Sequence, residues 1–320
     1  MRSRISKFLS IVLPLLLGIF LIAYQFNNFS TSELHEMKSY FQKADYFYVG
    51  LSLVIAIFGF LSRAYRWKYM LSHLGYHPKF HNNLFAVCIA YFINLSIPRS
   101  GEISRAVILK KYEDVPFDKA FGTIVAERVV DLLIFLICVV ISLIFQFDIL
   151  HKFVTENIPI EKLALLAVAC FVFMIVFILL WIYSKWKIIL LLKSKVSGLM
   201  EGIFSVYHMP DKLPFLLHSF FIWITYILMF YITVLALPET SGIGFGALIT
   251  AFVFGSLAIG FTNSGFGAYP LLIAQIFLLY GIPETIGTAF GWLVWISQTL
   301  LIILLGLLSF ALLPLLNRSK

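Results

Sequence analysis

The chain has 320 residues, of which 61% are hydrophobic and 12% charged, with a formal charge of +8 and a pI near 9.3. An ordinary soluble domain is about 25% charged, so a water-soluble fold is not expected. The apolar runs are long and non-alternating, which favours an all-α bundle over an outer-membrane barrel; at about 20 apolar residues per crossing they leave no room for a sizeable extramembrane enzyme domain.

In chain order, residues 8–24 form a first span behind Arg2, Arg4 and Lys7. The following Gln25-Phe26-Asn27-Asn28 offers no small-residue cleavage site, so the segment reads as a retained anchor. Residues 46–61, 120–147, 163–183, 214–237 and 286–316 are long enough for five further crossings, the first of them if its helix runs on toward Arg66. Two stretches fit a crossing poorly: 84–97 is short before Pro98, and 247–280 is broken at Thr262-Asn263-Ser264-Gly265-Phe266-Gly267. Interrupted segments of this kind suggest re-entrant hairpins. Residues 185–209 carry lysines among apolar residues and read as a cytoplasmic interfacial helix or an ordinary connecting helix.

Six spans and two hairpins put 19 of the 24 Lys and Arg on the side of both termini, counting Arg63 and Arg66 as loop charges. Lys38, Lys43, Lys152 and Lys162 fall on the other side, and Arg128 lies within a span. The positive-inside rule makes the first side cytoplasmic, so a cell (inner) membrane location with both termini inside is expected. The organisation that follows is a single integral membrane domain. It comprises an anchor and external loop (1–45), a span–hairpin–span unit (46–147), a linking span and interfacial helix (148–213), and a second, inverted span–hairpin–span unit (214–320). Many transporters place their substrate between such repeats.

The basic residues flank spans rather than forming one tract, which argues against nucleic acid. Cys88, Cys138 and Cys170 lack ligand or disulfide spacing and read as packing residues. His73, His77 and His81 are interrupted by Pro78, so neither a metal nor a cofactor is expected, and no catalytic motif stands out. Polar information concentrates at Asn94, Ser96, Arg99, Ser100, Gly101, Glu102 and Arg105, and one span later at Glu127, Arg128 and Asp131. Ionisable groups at membrane depth need partners or water and mark functional pathways by default.

Glu127 and Asp131 share a helix face at i, i+4, with Arg128 at their edge. Pro98 should end the descending half of the hairpin, Ser100 should cap the returning half, and Gly101 should supply the tight turn. The returning helix N-terminus, with Arg99, Arg105 and Arg128, suits an anionic headgroup, and Glu102, Glu127 and Asp131 serve as counter-ions or proton-coupling groups. A closed salt-bridge network of three cations and three carboxylates, with no ligand, is the competing reading. In the second hairpin Asn263, Ser264, Gly265, Gly267 and Tyr269 are further cavity-lining candidates, and Pro270 suits the first turn of its returning half.

The pattern Asn94, Pro98-Arg99-Ser100-Gly101-Glu102 and Arg105, then Glu127-Arg128 with Asp131, then a glycine-rich break and Gly281-Ile282-Pro283, resembles the lysylphosphatidylglycerol synthase transmembrane-region family across essentially the whole chain. The resemblance implies a multipass, flippase-like protein that moves aminoacylated phospholipids or related polar lipids. Two-domain relatives carry an aminoacyltransferase domain; this sequence ends at Lys320 without one, so a stand-alone member without lipid-aminoacylating activity is expected. Many members place an acidic residue after the second break, where this chain has Gly265-Phe266-Gly267-Ala268-Tyr269-Pro270. The expected partners are membrane lipids, namely an anionic or aminoacylated phospholipid or an isoprenoid phosphate, together with a lipid-modifying enzyme. An intramembrane enzyme of lipid or isoprenoid-phosphate metabolism and a non-transporting structural membrane partner are the alternatives.

Overall fold

Uninterrupted apolar sequence with few helix breakers leaves the backbone of a membrane segment one way to satisfy its own hydrogen bonds, and the chain is helical throughout its described length. The computed structural model describes residues 16–147 and 206–318, together with positions 175 and 186. The expected span at 163–183 and nearly all of the interfacial stretch at 185–209 lie outside the described residues, as does the start of the first span. Helix α1 covers Leu16–Asn27 and α2 covers Thr31–Lys43. They are followed by α3 (Tyr46–His73), α4 (Phe80–Ser96), α5 (Gly101–Glu113), α6 (Phe117–Phe145) and α7 (Lys212–Val234). After a single turn at Pro238–Ser241 come α8 (Phe245–Phe261), α9 (Ala268–Leu279) and α10 (Glu284–Leu316).

Four of these helices, α3, α6, α7 and α10, are long and apolar enough to cross a membrane. On α6 the exposed residues include Leu132, Leu136, Val140, Leu143 and Ile144, whereas Glu127 and Asp131 are buried. Lipid takes the place of water around such a bundle, so the apolar side chains face outward and the ionisable ones inward. The short helix α2 opens with a capping box: the Glu33 N–H donates to Ser30 Oγ, and the Ser30 N–H donates to Glu33 Oε2.

Each half of the described chain forms a long helix, two shorter helices and a second long helix, and the two halves repeat one another. α3, α4, α5 and α6 begin at residues 46, 80, 101 and 117; α7, α8, α9 and α10 begin at 212, 245, 268 and 284, a steady offset of 165–167 residues. The packing follows the same rule. α4 of the first unit lies on α10 of the second, and α8 of the second lies on α6 of the first. α3 and α7 run antiparallel, since the Asp45 N–H donates to the Ala236 carbonyl at 2.8 Å at one end and Ser62 Oγ meets His218 Nδ1 at 2.8 Å toward the other. Even the hairpin bases are fixed alike. Asn82 of α4 exchanges two amide hydrogen bonds with Asn317 beyond α10, at 3.0 and 2.8 Å. Thr250 of α8 bonds Ser142 and Gln146 at the end of α6, at 2.8 and 2.6 Å.

The two hairpin tips meet. Asn263 Nδ2 donates to the Leu95 carbonyl at 2.9 Å, Ser264 Oγ donates to the Asn94 carbonyl at 3.1 Å, and Trp295 Nε1 donates to the Ser264 carbonyl at 2.9 Å. Gly267, at φ +72°, lies so close to α1 that a Cβ would stand 2.5 Å from the Gly18 carbonyl oxygen; no residue larger than glycine fits this crossing. Pro270 sits in the first turn of α9, as its missing N–H allows.

Two details of the first hairpin differ from the sequence-based expectation. Ser100 has helical backbone angles, φ −86° and ψ −15°, so its Oγ turns back to donate to the Ile97 carbonyl at 2.6 Å instead of capping α5. The Gly101 N–H is satisfied by Asn94 Oδ1 at 2.7 Å. The left-handed turn position belongs to Arg99, at φ 62°, and not to Gly101. Gly101 is needed for packing, because a Cβ there would stand 2.2 Å from the Ala90 carbonyl oxygen on α4.

Candidate functional site

The extension of α3 builds the site. The helix runs past Leu61 toward Arg66, as a crossing requires, and on to His73, since no Gly or Pro lies between Leu61 and Gly75. Arg63 and Arg66 are therefore not loop charges. They lie on the helix, 3% and 0% exposed, facing α6. Arg66 holds both carboxylates, with Nη1 2.5 Å from Asp131 Oδ1 and Nε 3.4 Å from Glu127 Oε1. Arg63 Nη1 is 3.2 Å from Asp131 Oδ2, and its Nη2 donates to the Tyr226 hydroxyl at 2.9 Å. The same guanidinium lies within about 6 Å of the Tyr91 and Tyr226 ring centroids, a cation–π distance.

Arg105, carried by the hairpin on α5, reaches Glu127 Oε2 at 2.9 Å and stacks over Trp67 at 3.9 Å from the ring centroid. Its Nε and Nη2 have no hydrogen-bond partner. Arg128 turns away from this core. Its side chain is 41% exposed and is held loosely, 3.7 Å from Glu102 and 3.6 Å from Asp131. Arg99 is exposed at the hairpin tip and bonds to nothing among the described residues.

These groups border a cavity of about 530 Å³ between the two repeat units. Arg63, Arg99, Arg105 and Arg128 reach its wall with Glu102 and Asp131, and Asn94, Ser264 and Tyr269 line it. Ser96, Ser100, Gly101, Asn263, Gly265 and Gly267 are not among the lining residues. Ser96 is exposed, Asn263 is buried between the tips, and the glycines serve turns and close packing. The second unit contributes apolar and aromatic lining, with Trp223, Phe230, Phe252 and Trp295, and Phe60 of α3 adds to it beside Arg63.

The repeat explains this division. At the offset of 165–167 residues, Arg99 corresponds to Ser264, and both take a left-handed φ, 62° and 53°. Glu102 corresponds to Tyr269, Glu127 to Val294, Arg128 to Trp295 and Asp131 to Gln298. The first unit thus supplies a charged half of the cavity and the second unit an uncharged half.

The balance of charge also changes. With Arg63 and Arg66 included, five arginines face three carboxylates. The network of six groups that could neutralise one another is therefore replaced by one with two cations in excess, and the excess sits at the cavity, where Arg99 and Arg128 are accessible. Arg63, Arg66, Tyr91 and Tyr226 join the candidate site without having stood out in the sequence. The spacing of Arg63 and Arg66, i and i+3 in a stretch without breakers, was the available signal, and counting both as topological loop charges concealed it.

A sequence profile described as the lysylphosphatidylglycerol synthase TM region matches residues 11–306. A UPF0104 membrane protein of Methanocaldococcus jannaschii is 39% identical over 92 residues, 28% of this chain and 27% of that protein. The glycosyltransferase AglD of Haloferax volcanii is 31% identical over 133 residues, 41% of this chain and 21% of that protein. The chain thus spans about a quarter of the length of one curated relative and a fifth of the other. No solved structure matches the chain.

Proposed function

We propose that this chain, which belongs to the lysylphosphatidylglycerol synthase transmembrane-region family, moves a phosphate-bearing polar lipid between membrane leaflets. The observation that carries the reading is the cavity between the two units, lined by arginines of the first unit together with aromatic and aliphatic side chains. A phosphate cannot enter hydrocarbon without replacing its hydration; guanidinium donors can substitute for that water, and the apolar wall suits acyl or isoprenoid chains.

In this mechanism Arg99 and Arg128 receive the headgroup, because they are the accessible and weakly paired cations. Arg105 adds unpartnered donors from the hairpin. Glu127 and Asp131, each pinned by at least two arginines, keep the buried cations neutralised whether or not lipid is bound. Glu102, 3.7 Å from Arg128, is the counter-ion that gives way when phosphate arrives. The meeting hairpin tips contribute Asn94, Leu95 and Ser264 to the cavity lining, and in this reading their separation opens it, as in alternating access between repeats. The Lys and Arg that remain on the side of the termini, once the buried Arg63 and Arg66 are set aside, support a cytoplasmic face there, and an enzyme that makes or consumes the headgroup is the partner this reading implies.

The test is lipid exchange in proteoliposomes containing a phospholipid labelled on its acyl chain with a fluorophore that an impermeant reductant quenches. Protein-containing vesicles should lose signal from both leaflets, and protein-free vesicles from the outer leaflet only. Arg128→Gln should return the vesicles to the protein-free behaviour. Equal rates in parent, variant and empty vesicles would refute the reading.

A further inference from the structure

The charge at the cavity wall restricts which headgroup the site can take, and this inference rests on the lipid-translocation reading. Five arginines stand against three carboxylates, and two of those carboxylates, Glu127 and Asp131, are already occupied by buried arginines at 2.5–3.4 Å. Glu102 is the remaining acid, and Arg128 lies 3.7 Å from it. The second repeat unit offers no compensating acid, since its corresponding positions are Tyr269, Val294, Trp295 and Gln298. An ammonium group brought into this cavity would meet a wall already in positive excess, with one half-occupied carboxylate to receive it. One buried acceptor, Glu102 Oε2, lacks a hydrogen-bond partner, but the unfilled donors outnumber it. Arg105 is 2% exposed, lines the cavity and has Nε and Nη2 without hydrogen-bond partners; Arg128 Nε makes no hydrogen bond and only a 3.7 Å ion pair with Glu102, and the whole Arg99 guanidinium is available. Buried donors without acceptors are costly, and a ligand that supplies acceptors relieves that cost.

We propose that the headgroup site is built for a phosphomonoester, whose two negative charges and three terminal oxygens match the two surplus cations and the unfilled arginine donors. A phosphodiester brings one charge and two terminal oxygens, and an aminoacylated or ethanolamine head adds a cation. The site therefore ranks phosphomonoester above phosphodiester, and phosphodiester above aminoacylated or zwitterionic heads.

The experiment measures retention by the purified full chain of four lipids with identical acyl chains: phosphatidic acid, phosphatidylglycerol, phosphatidylethanolamine and lysylphosphatidylglycerol. Native mass spectrometry reads the bound fraction, with inorganic phosphate as a separate probe. Phosphatidic acid should bind about tenfold tighter than phosphatidylglycerol, the step expected from an added charge-assisted contact. Its advantage should grow between about pH 5 and 8, as the second ionisation of a phosphomonoester near pH 6 is completed. Arg99→Gln, which removes a side chain bonded to nothing among the described residues, should bring phosphatidic acid down to the level of phosphatidylglycerol, and Arg99→Lys should restore part of the difference. Glu102→Gln should widen it. Equal binding of phosphatidic acid and phosphatidylglycerol, tighter binding of lysylphosphatidylglycerol, or a preference unchanged in both Arg99→Gln and Arg128→Gln would overturn the inference. Arginine-dependent binding of inorganic phosphate without binding of phosphatidic acid would do so as well, by assigning the site to the free ion. Arginine-dependent vesicle exchange that carries lysylphosphatidylglycerol as fast as phosphatidic acid would overturn the headgroup ranking and leave translocation standing. Loss of exchange for every lipid, with the binding order intact, would remove translocation and leave the site.

Discussion

Asp131→Asn keeps the shape of a side chain that ties α6 to α3 and removes its charge. The carboxylate accepts from Arg66 Nη1 and Nη2, at 2.5 and 3.2 Å, and from Arg63 Nη1 at 3.2 Å. An asparagine retains one acceptor oxygen and turns an NH2 donor toward guanidinium donors. Arg63, Arg66 and Arg105 would then share Glu127 alone. At 3.2 Å and an effective dielectric constant of about 20, each lost pair represents a gross attraction of about 5 kcal/mol. The desolvation of both ions offsets much of that, and breaking a buried pair by removing one partner costs about 3–5 kcal/mol net. Against a total stability of about 5–15 kcal/mol, that is a severe loss. Unfolding in mixed micelles with increasing denaturing detergent, followed by tryptophan fluorescence, measures it. The double variant Arg63→Met/Asp131→Asn removes one of the orphaned cations and should be less destabilised than the sum of the single variants by about 1–3 kcal/mol. A single-variant cost below about 1 kcal/mol, or strict additivity in the double variant, would show that the cluster does not hold the first unit together.

Gly101→Ala should destabilise by about 1–3 kcal/mol in the same assay, because its Cβ would meet the Ala90 carbonyl at 2.2 Å and force α5 away from α4. Gly122→Ala, an exposed helical position with no atom within 4 Å of the new Cβ, should be neutral or stabilising by up to about 1 kcal/mol; equal effects of the two substitutions would refute the close-packing argument. Cysteines placed at Lys38 on α2 and Lys110 on α5 should label from opposite faces of the membrane with an impermeant thiol reagent, since α3 crosses between them and the α4–α5 hairpin returns to the side it left. Labelling from the same face would remove the re-entrant geometry.

Much of the site was legible because it depends on local spacing. Glu127, Arg128 and Asp131 fall within five consecutive residues, and an α-helix fixes their shared face without reference to the rest of the chain. Arg105 is drawn to Glu127 across a single helix–helix contact, between elements joined by a three-residue connection. The burial of Arg63 and Arg66 is not legible locally, for a physical reason. In a membrane protein an arginine near the end of an apolar run has two stable states, solvated at the interface or paired in the interior, and the sequence up to Arg66 is compatible with both. Which state holds is decided by acids more than 60 residues away on α6. Ser100 shows the same limit on a smaller scale. Its residue type favours capping, but the turn puts Arg99 in the left-handed region, and the cap passes to Asn94.

The sequence by itself determined the solvent of this protein, the crossing segments within the described residues and the two broken hairpins, because hydrophobic run length and backbone hydrogen bonding leave few choices inside a bilayer. It also ordered the two span–hairpin–span units, although their residues show no evident similarity at matched positions. Only the tertiary structure decided that the hairpin tips meet, that each hairpin packs on the last helix of the other unit, and that four arginines and two acids line one cavity with Arg66 and Glu127 buried behind them. Those facts arise from contacts between residues up to 235 positions apart, such as Asn82 and Asn317. A periodic pattern constrains which face a helix buries, whereas the partner on that face, and with it the sign of the surplus charge, is set by packing the whole bundle.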